Sequence, residues 1–245
     1  MKLSINSFVI CTDWTLDALI EACRTGGYAG VEFRAESDQR HGVELEATPI
    51  QRREIRRKLE DAYLEAVCVS TSQCLHWHHE GTLRAHIERA KRYIDLAADI
   101  DCRAVRVFAD GDPLPPDQDA REVCRRVGDA LRGLADHAAG TPMTVLLEMH
   151  GCFNLWKYAL DIVNQANHPN AALNYNCDSR DLVAGSVRET YSRIRGCLRH
   201  VHMHELELRD GDEAFPYLEL FRLLQQDQYD GYCSLEIGYT GGRRR

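Results

Sequence analysis

At 245 residues, with 44% hydrophobic and 28% charged side chains, the chain has the composition of a soluble globular protein with a sizeable core. Its net charge of −8 argues against a polyanionic partner such as nucleic acid. No apolar run approaches the roughly 18 residues needed to cross a bilayer, so no membrane span is expected. The opening segment MKLSINSFVICTDW meets polar and acidic residues too early for a signal peptide, which reads as a cytoplasmic protein.

KLSINSFVI reads as a first strand and TLDALIEACRTGG as a helix closed by glycine. GVEFRA is the second strand, followed after a polar loop by the helix TPIQRREIRRKLEDAY with its threonine-proline start. EAVCVST is the third strand. In RAHIERAKRYIDLAADI, residues Ile87, Ala90, Ile94 and Ala97 share one face, the period of a helix. AVRVFAD and TVLLEMH are the fourth and fifth strands, with the helix DAREVCRRVGDALRGLADHAA between them. YALDIVNQA is a helix, AALNYNC the sixth strand and SVRETYSRIRG a shorter helix. LRHVHMHEL is the seventh strand, FPYLELFRLLQQ a helix and YCSLEI the eighth strand.

Eight strand-then-helix units in order predict a parallel α/β sheet, and eight of them favour closure into a (β/α)8 barrel, a TIM barrel. An open doubly wound sheet would usually carry a glycine-rich phosphate turn, and neither GxGxxG nor GxxxxGK[ST] occurs. No linker or composition shift divides the chain, so residues 1–245 are expected to form one domain. The ten cysteines form no CxxC pair and several fall inside predicted strands or helices, where a reduced thiol packs as a small apolar group. The basic runs QRREIRRKLE and REVCRRVGDALR have the spacing of solvated helix faces.

Active sites of such barrels lie at the carboxyl ends of the strands. Polar residues there are Asn6 in the first strand, Glu32 and Arg34 in the second and Arg106 in the fourth. Glu148 and His150 end the fifth, Asn176 and Asp178 the sixth, His202, His204 and Glu205 the seventh and Glu236 the eighth. Glu148 after TVLL and Glu236 after YCSL hold equivalent positions, with histidines and amides on the strands between. Carboxylates with an imidazole suit one divalent ion, Mn²⁺, Mg²⁺, Co²⁺ or Zn²⁺, with positions open to water or substrate. His202 and His204, with His200, alternate in phase and point to the same side; at least one of His202 and His204 is expected to be a ligand, the alternative being a hydrogen-bonded barrel histidine. In the loop CLHWHHE after the third strand, Trp77 is either a stacking surface for a sugar or a loop-packing residue.

The segments GYAGVEFR, AVRVFAD, LLEMHG, HPNAALNYNCDSRDL, LRHVHMHEL and YDGYCSLEI, in this order, resemble the xylose isomerase-like TIM-barrel superfamily. That superfamily comprises sugar phosphate isomerases/epimerases and also contains sugar 3-epimerases, hydroxypyruvate isomerase, inosose dehydratase and endonuclease IV. The resemblance implies that Glu148, His202 and Glu236 are metal ligands and that Glu148 and Glu236 also move the substrate proton. A fourth ligand, an aspartate in an "lDxxH" pattern, falls on Asn176, and its histidine partner on Ser179. An asparagine oxygen coordinates without supplying charge, so Asp178 or Asp181 is the alternative. By position, His150, Arg106 and Arg209 are expected to contact substrate.

The implied function is a metal-dependent isomerase or epimerase of a sugar or keto-sugar, working through an enediolate. A lyase or dehydratase on the same scaffold, or a non-catalytic sugar-binding barrel, is the alternative. Endonuclease chemistry is disfavoured by the acidic balance and by the altered "lDxxH" segment. The expected partner is a small sugar, and a homo-oligomer is compatible with the sequence.

Overall fold

The eight β-branched runs become eight parallel strands that pair in chain order, with the last closing onto the first. The structure, a computed structural model, describes residues 1–8, 10–109, 118–204 and 215–237. The strands are β1 (Lys2–Asn6), β2 (Gly30–Arg34), β3 (Glu65–Cys74), β4 (Ala104–Phe108), β5 (Thr144–Glu148), β6 (Ala171–Asn176), β7 (Leu198–Met203) and β8 (Tyr232–Leu235). Among the described residues seven α-helices alternate with them: α1 (Leu16–Gly26), α2 (Pro49–Asp61), α3 (Glu80–Asp99), α4 (Ala120–His137), α5 (Trp156–Ala166), α6 (Arg188–Ile194) and α7 (Tyr217–Gln226). None is long and apolar enough to cross a membrane.

Local chemistry accounts for most boundaries. Thr48 and Gln51 form a reciprocal capping box with Pro49 at the first helical position, which starts α2 where the threonine-proline pair predicted. Gly27 ends α1 in the left-handed conformation that glycine adopts without strain. β1 stops at Asn6 instead of running on to Ile10. The Asn6 side chain accepts from the Phe8 N–H at 2.9 Å and turns the chain. α3 starts at Glu80, earlier than periodicity predicted, because His79 Nδ1 accepts from the Thr82 N–H at 3.2 Å. β3 continues through Cys74, so the CLHWHHE segment is divided between a strand end, a short loop and a helix cap.

Two cores result from the alternation along each strand. Outward residues such as Val69, Val105, Leu147, Leu173, Val201 and Cys233 join the layer beneath the helices. There α4 buries Val123, Val127, Leu131 and Leu134, each worth about 1.5–3 kcal/mol when fully removed from water. Cys68, Ala104, Leu146, Ala172 and Tyr232 belong to a second, smaller cluster inside the barrel. All ten cysteines are free thiols and seven of them are buried, consistent with apolar packing.

Register shifts fall on the strands that carry the polar interior: at Val31/Glu32, between Ser70 and Cys74, and at Leu173/Asn174. The last leaves Arg199 without a partner, so that Asn174 pairs with His200 and Asn176 with His202. Gly30 has a packing reason as well. A Cβ there would lie 2.5 Å from the Glu65 carbonyl oxygen and from a Val67 methyl, too close for any side chain.

Candidate active site

β5, β7 and β8 bring three of the expected residues together. Glu148 ends β5, His202 lies in β7, and Glu236 follows β8 with its N–H donating to the Met203 carbonyl at 2.8 Å. His202 Nδ1 is 3.1 Å from a Glu236 oxygen and 3.7 Å from a Glu148 oxygen. One donor atom from each of the three lies within 4.8 Å of the other two. His202 is fully buried and Glu148 nearly so.

The other face of His202 is held by a residue to which sequence reading gave no role. Glu32, on β2, sits 2.9 Å from His202 Nε2 through one oxygen and 2.8 Å from His200 Nε2 through the other. The Ser70 hydroxyl also donates to it. The signal for Glu32 was its phase: it lies two residues before Arg34, and all five residues of its strand are buried. Its partners on β7 are 170 and 168 residues away in the chain, beyond the reach of local pattern.

Charge and burial compete strongly here. Burial would raise the Glu32 carboxyl, but the His202 and His200 imidazoles outweigh it and hold the group well below the usual carboxylate range. Burial would likewise lower His202, yet Glu32, Glu236 and Glu148 hold it well above the ordinary imidazole value. Glu236 is brought to about 2, because His202 overcomes its burial.

Arg106, fully buried on β4, places Nε 2.8 Å from Glu148. It also donates to the Thr71 carbonyl at 2.6 Å and lies 4.0 Å over the Phe108 ring. Asn6 Nδ2 reaches Glu236 at 3.4 Å. Asn174, beside Glu148 and His200 in register, lays its Nδ2 over the His202 ring, 3.1 and 3.2 Å from its two nitrogens. The Asn174 carbonyl oxygen is buried and has no partner among the described residues.

The remaining expected residues are distributed around this group. The Asn176 carbonyl oxygen accepts from His204 Nε2. Asp178 is tied to Arg180 at 2.7 Å, and Asp181 accepts from Asn154 at 3.0 Å. Neither aspartate belongs to a three-residue donor group among the described residues. His150 is exposed, with its ring 5.0 Å from that of Phe108. Trp77 is partly exposed and stacks on His86 of α3 at 5.6 Å, with His76 at 4.6 Å. Arg209 lies outside the described residues.

The donor set fits a divalent cation. Bonds near 2.0–2.2 Å would set adjacent donors about 3–3.6 Å apart, and the Glu148, His202 and Glu236 atoms lie within 4.8 Å of one another. A carboxylate on the far nitrogen of a metal-binding histidine fixes its ring orientation, and Glu32 occupies that position against His202. The unpartnered Asn174 oxygen offers a further neutral donor next to the group.

Comparison with known proteins places this geometry in context. A family model described as xylose isomerase-like TIM barrel matches residues 20–244. No curated protein sequence matches the chain significantly. Among solved structures, a D-psicose 3-epimerase crystallised in the presence of D-fructose superposes with a TM-score of 0.81 at 18% identity, covering 99% of this chain and 87% of that one. A 3-keto-D-glucoside 4-epimerase from E. coli gives 0.77 at 18% identity over 100% and 93% of the two chains. A protein described as a probable 3-DHS dehydratase from Bacillus anthracis gives 0.71 at 17% identity over 96% and 92%. At such identity these likenesses speak to the fold.

Proposed function

This chain belongs to the xylose isomerase-like TIM-barrel family, and from that premise we propose that it is a divalent-metal-dependent isomerase or epimerase of a sugar or keto-sugar. The observation that carries the reading is the meeting of Glu148 and Glu236 on one imidazole nitrogen, whose far side is held by Glu32. Glu148, His202 and Glu236 would hold the ion. A neutral oxygen from β6 would complete the set: Asn176 has the position expected from the sequence, and Asn174 has the carbonyl oxygen without a partner. When bound, Mn²⁺, Mg²⁺, Co²⁺ or Zn²⁺ supplies the Lewis acidity that polarises a substrate carbonyl and its neighbouring hydroxyl.

The chain's own residues account for the proton. One of the two glutamates removes it from the carbon beside the carbonyl, giving an enediolate, and the other returns it. Return to the same carbon from the other face inverts that centre; return to the former carbonyl carbon isomerises the sugar. Arg106 keeps Glu148 in place through its ion pair and is itself clamped by the Thr71 carbonyl and the Phe108 ring. Asn6 supports Glu236 on the other strand end. We assign His150 and Arg209 to substrate hydroxyls and Trp77 to a sugar face, from their loops after β5, β7 and β3.

A dehydratase shares the proton abstraction and then expels a β-hydroxyl, and a described dehydratase is among the proteins of similar fold. The test is a substrate screen in D₂O with Mn²⁺-loaded protein. Solvent deuterium entering a product of otherwise unchanged composition is the outcome expected for an epimerase or isomerase; loss of water would assign the lyase instead. Glu148→Gln and Glu236→Gln should each cost about 10²–10⁴-fold in rate. Absence of both metal binding and exchange would leave the chain a non-catalytic barrel.

A further inference from the structure

The interior of a barrel of this kind is built in layers, each supplied by alternate strands. Glu32, Arg106, Asn174 and Ser234 come from β2, β4, β6 and β8, and all four are buried, with no more than 1% exposed. The residues on either side of each, such as Val31 and Phe33 or Cys233 and Leu235, belong to the layer beneath the helices, so the four side chains point inward. Their polar contacts run to the odd strands: Glu32 to Ser70, His200 and His202, Arg106 to Glu148, Asn174 to Glu148 and His202. Ser234 is the short member of the four. It stands in register between His202 on β7 and Ser4 on β1. Ser4 also points inward, since its neighbour Ile5 faces the helices.

Three atoms of this region have no partner among the described residues: the hydroxyls of Ser4 and Ser234 and the carbonyl oxygen of Asn174. All three residues are 0% exposed. The two serines are register neighbours, yet neither hydroxyl bonds the other. A buried polar atom left unpaired is costly, and native proteins answer such atoms with protein groups or ordered water. An ion does not suit this place. A cation would share its layer with Arg106, and an anion would meet the carboxylates of Glu32 and Glu148. A water molecule in a protein interior makes about three hydrogen bonds, and it is neutral like the three atoms to be answered. It can donate to the Asn174 oxygen, while each hydroxyl can either donate to it or accept from it.

We propose that one water molecule is bound inside the barrel at this level, held by Ser4 and Ser234 and donating to the Asn174 carbonyl oxygen. The consequence falls on Glu148. Asn174 Nδ2 lies 3.4 Å from a Glu148 oxygen and 3.1 Å from His202 Nδ1. A donor on the carbonyl side fixes which end of the amide faces those two residues. Without that donor the amide is free to turn over and present its oxygen to the Glu148 carboxylate. Ser4 and Ser234 are therefore positioning residues, acting through the water on Asn174 and through Asn174 on Glu148. This goes beyond the metal-dependent reading and does not rest on it, because every partner of the water is an atom of the chain.

Neutron diffraction from crystals of the wild-type protein in D₂O is the test, since it shows deuterium on the water and on the amide. A water oxygen about 2.5–3.0 Å from all three oxygens, with the Asn174 deuterons facing Glu148 and His202, is the result expected. A dry position would overturn the proposal. So would an amide oxygen facing Glu148 and His202, which would leave that oxygen a candidate ion ligand instead. In solution, oxygen-17 relaxation dispersion counts internal waters of long residence. The double variant Ser4→Ala/Ser234→Ala should hold one fewer than wild type, because a single polar partner does not retain a buried water. Ser192→Ala, at an exposed hydroxyl on α6, should hold the same number. An equal count in the double variant would also overturn the proposal, and the wild-type neutron structure decides alone if that variant does not fold.

Discussion

Replacing Glu32 by glutamine changes one oxygen of a fully buried carboxylate to an amide and leaves the shape alone. The wild-type carboxylate accepts from His202 Nε2, His200 Nε2 and the Ser70 hydroxyl. Glutamine can satisfy only one side of this arrangement, and its NH₂ must face a donor on the other. The His202 ring then loses the partner that turns its Nδ1 toward Glu148 and Glu236. Partners of this kind are worth about 10–100-fold in metal affinity, or roughly 1.4–2.7 kcal/mol. Competition titration with Mn²⁺ should show that weakening in Glu32→Gln, with a smaller loss in Glu32→Asp, which keeps the charge at a longer reach. Nitrogen-15 NMR of labelled histidine gives a readout independent of turnover. In metal-loaded wild type the His202 proton should reside on Nε2, and in Glu32→Gln that assignment should be lost or mixed. Mn²⁺ affinity within twofold of wild type, with the same His202 signature, would refute the positioning role.

Two further outcomes concern stability against pH. His41 is buried, with Nε2 placed 3.1 Å from the Arg34 carbonyl and Nδ1 accepting from the Val43 N–H at 3.0 Å; burial pushes its imidazole down to about 4. A folded value below the unfolded 6.5 means this group's contribution is intact above about pH 6.5 and is lost as pH falls toward 4. By pH 4.5 the loss should reach about 2–3 kcal/mol. Urea unfolding should show it in wild type and not in His41→Asn; parallel pH profiles in the two proteins would sink the assignment. Asp181 behaves in the opposite sense, because burial and then Asp178 push its carboxyl up to about 8 from 3.8. Its contribution is full below pH 3.8 and is lost as pH rises through 8, so Asp181→Asn should match wild type at pH 4 and melt at a higher temperature at pH 9. A variant less stable than wild type at pH 9 would show that the ionised carboxylate has a partner there.

How much of this molecule was legible before it folded depends on the range of the interaction concerned. Thr48, Pro49 and Gln51 act within one turn, so the start of α2 could be read directly. Period-two and period-3.6 patterns are set by which side chains face the core, and they carried the eight strands and the closure that follows from them. Glu148 and Glu236 could be picked out because a carboxylate after an apolar strand marks the mouth of a barrel. His79 as the cap of α3 could have been suspected, but an imidazole is an uncommon cap and the helical period became clear only later in the segment.

The tertiary structure decided what lies across the barrel. That Glu32 meets His202 and His200 and that Arg106 meets Glu148 depends on how the strands are staggered on closure, and on register shifts that no single strand announces. A one-residue shift reverses which side chains face inward, so the inner surface becomes definite only when neighbouring strands pair. Sequence by itself determined the strands, the helices between them and which polar residues stand at the strand ends. Closure determined which acid faces which base, because those partners are separated by up to 170 residues of chain and are joined only through the geometry of the barrel.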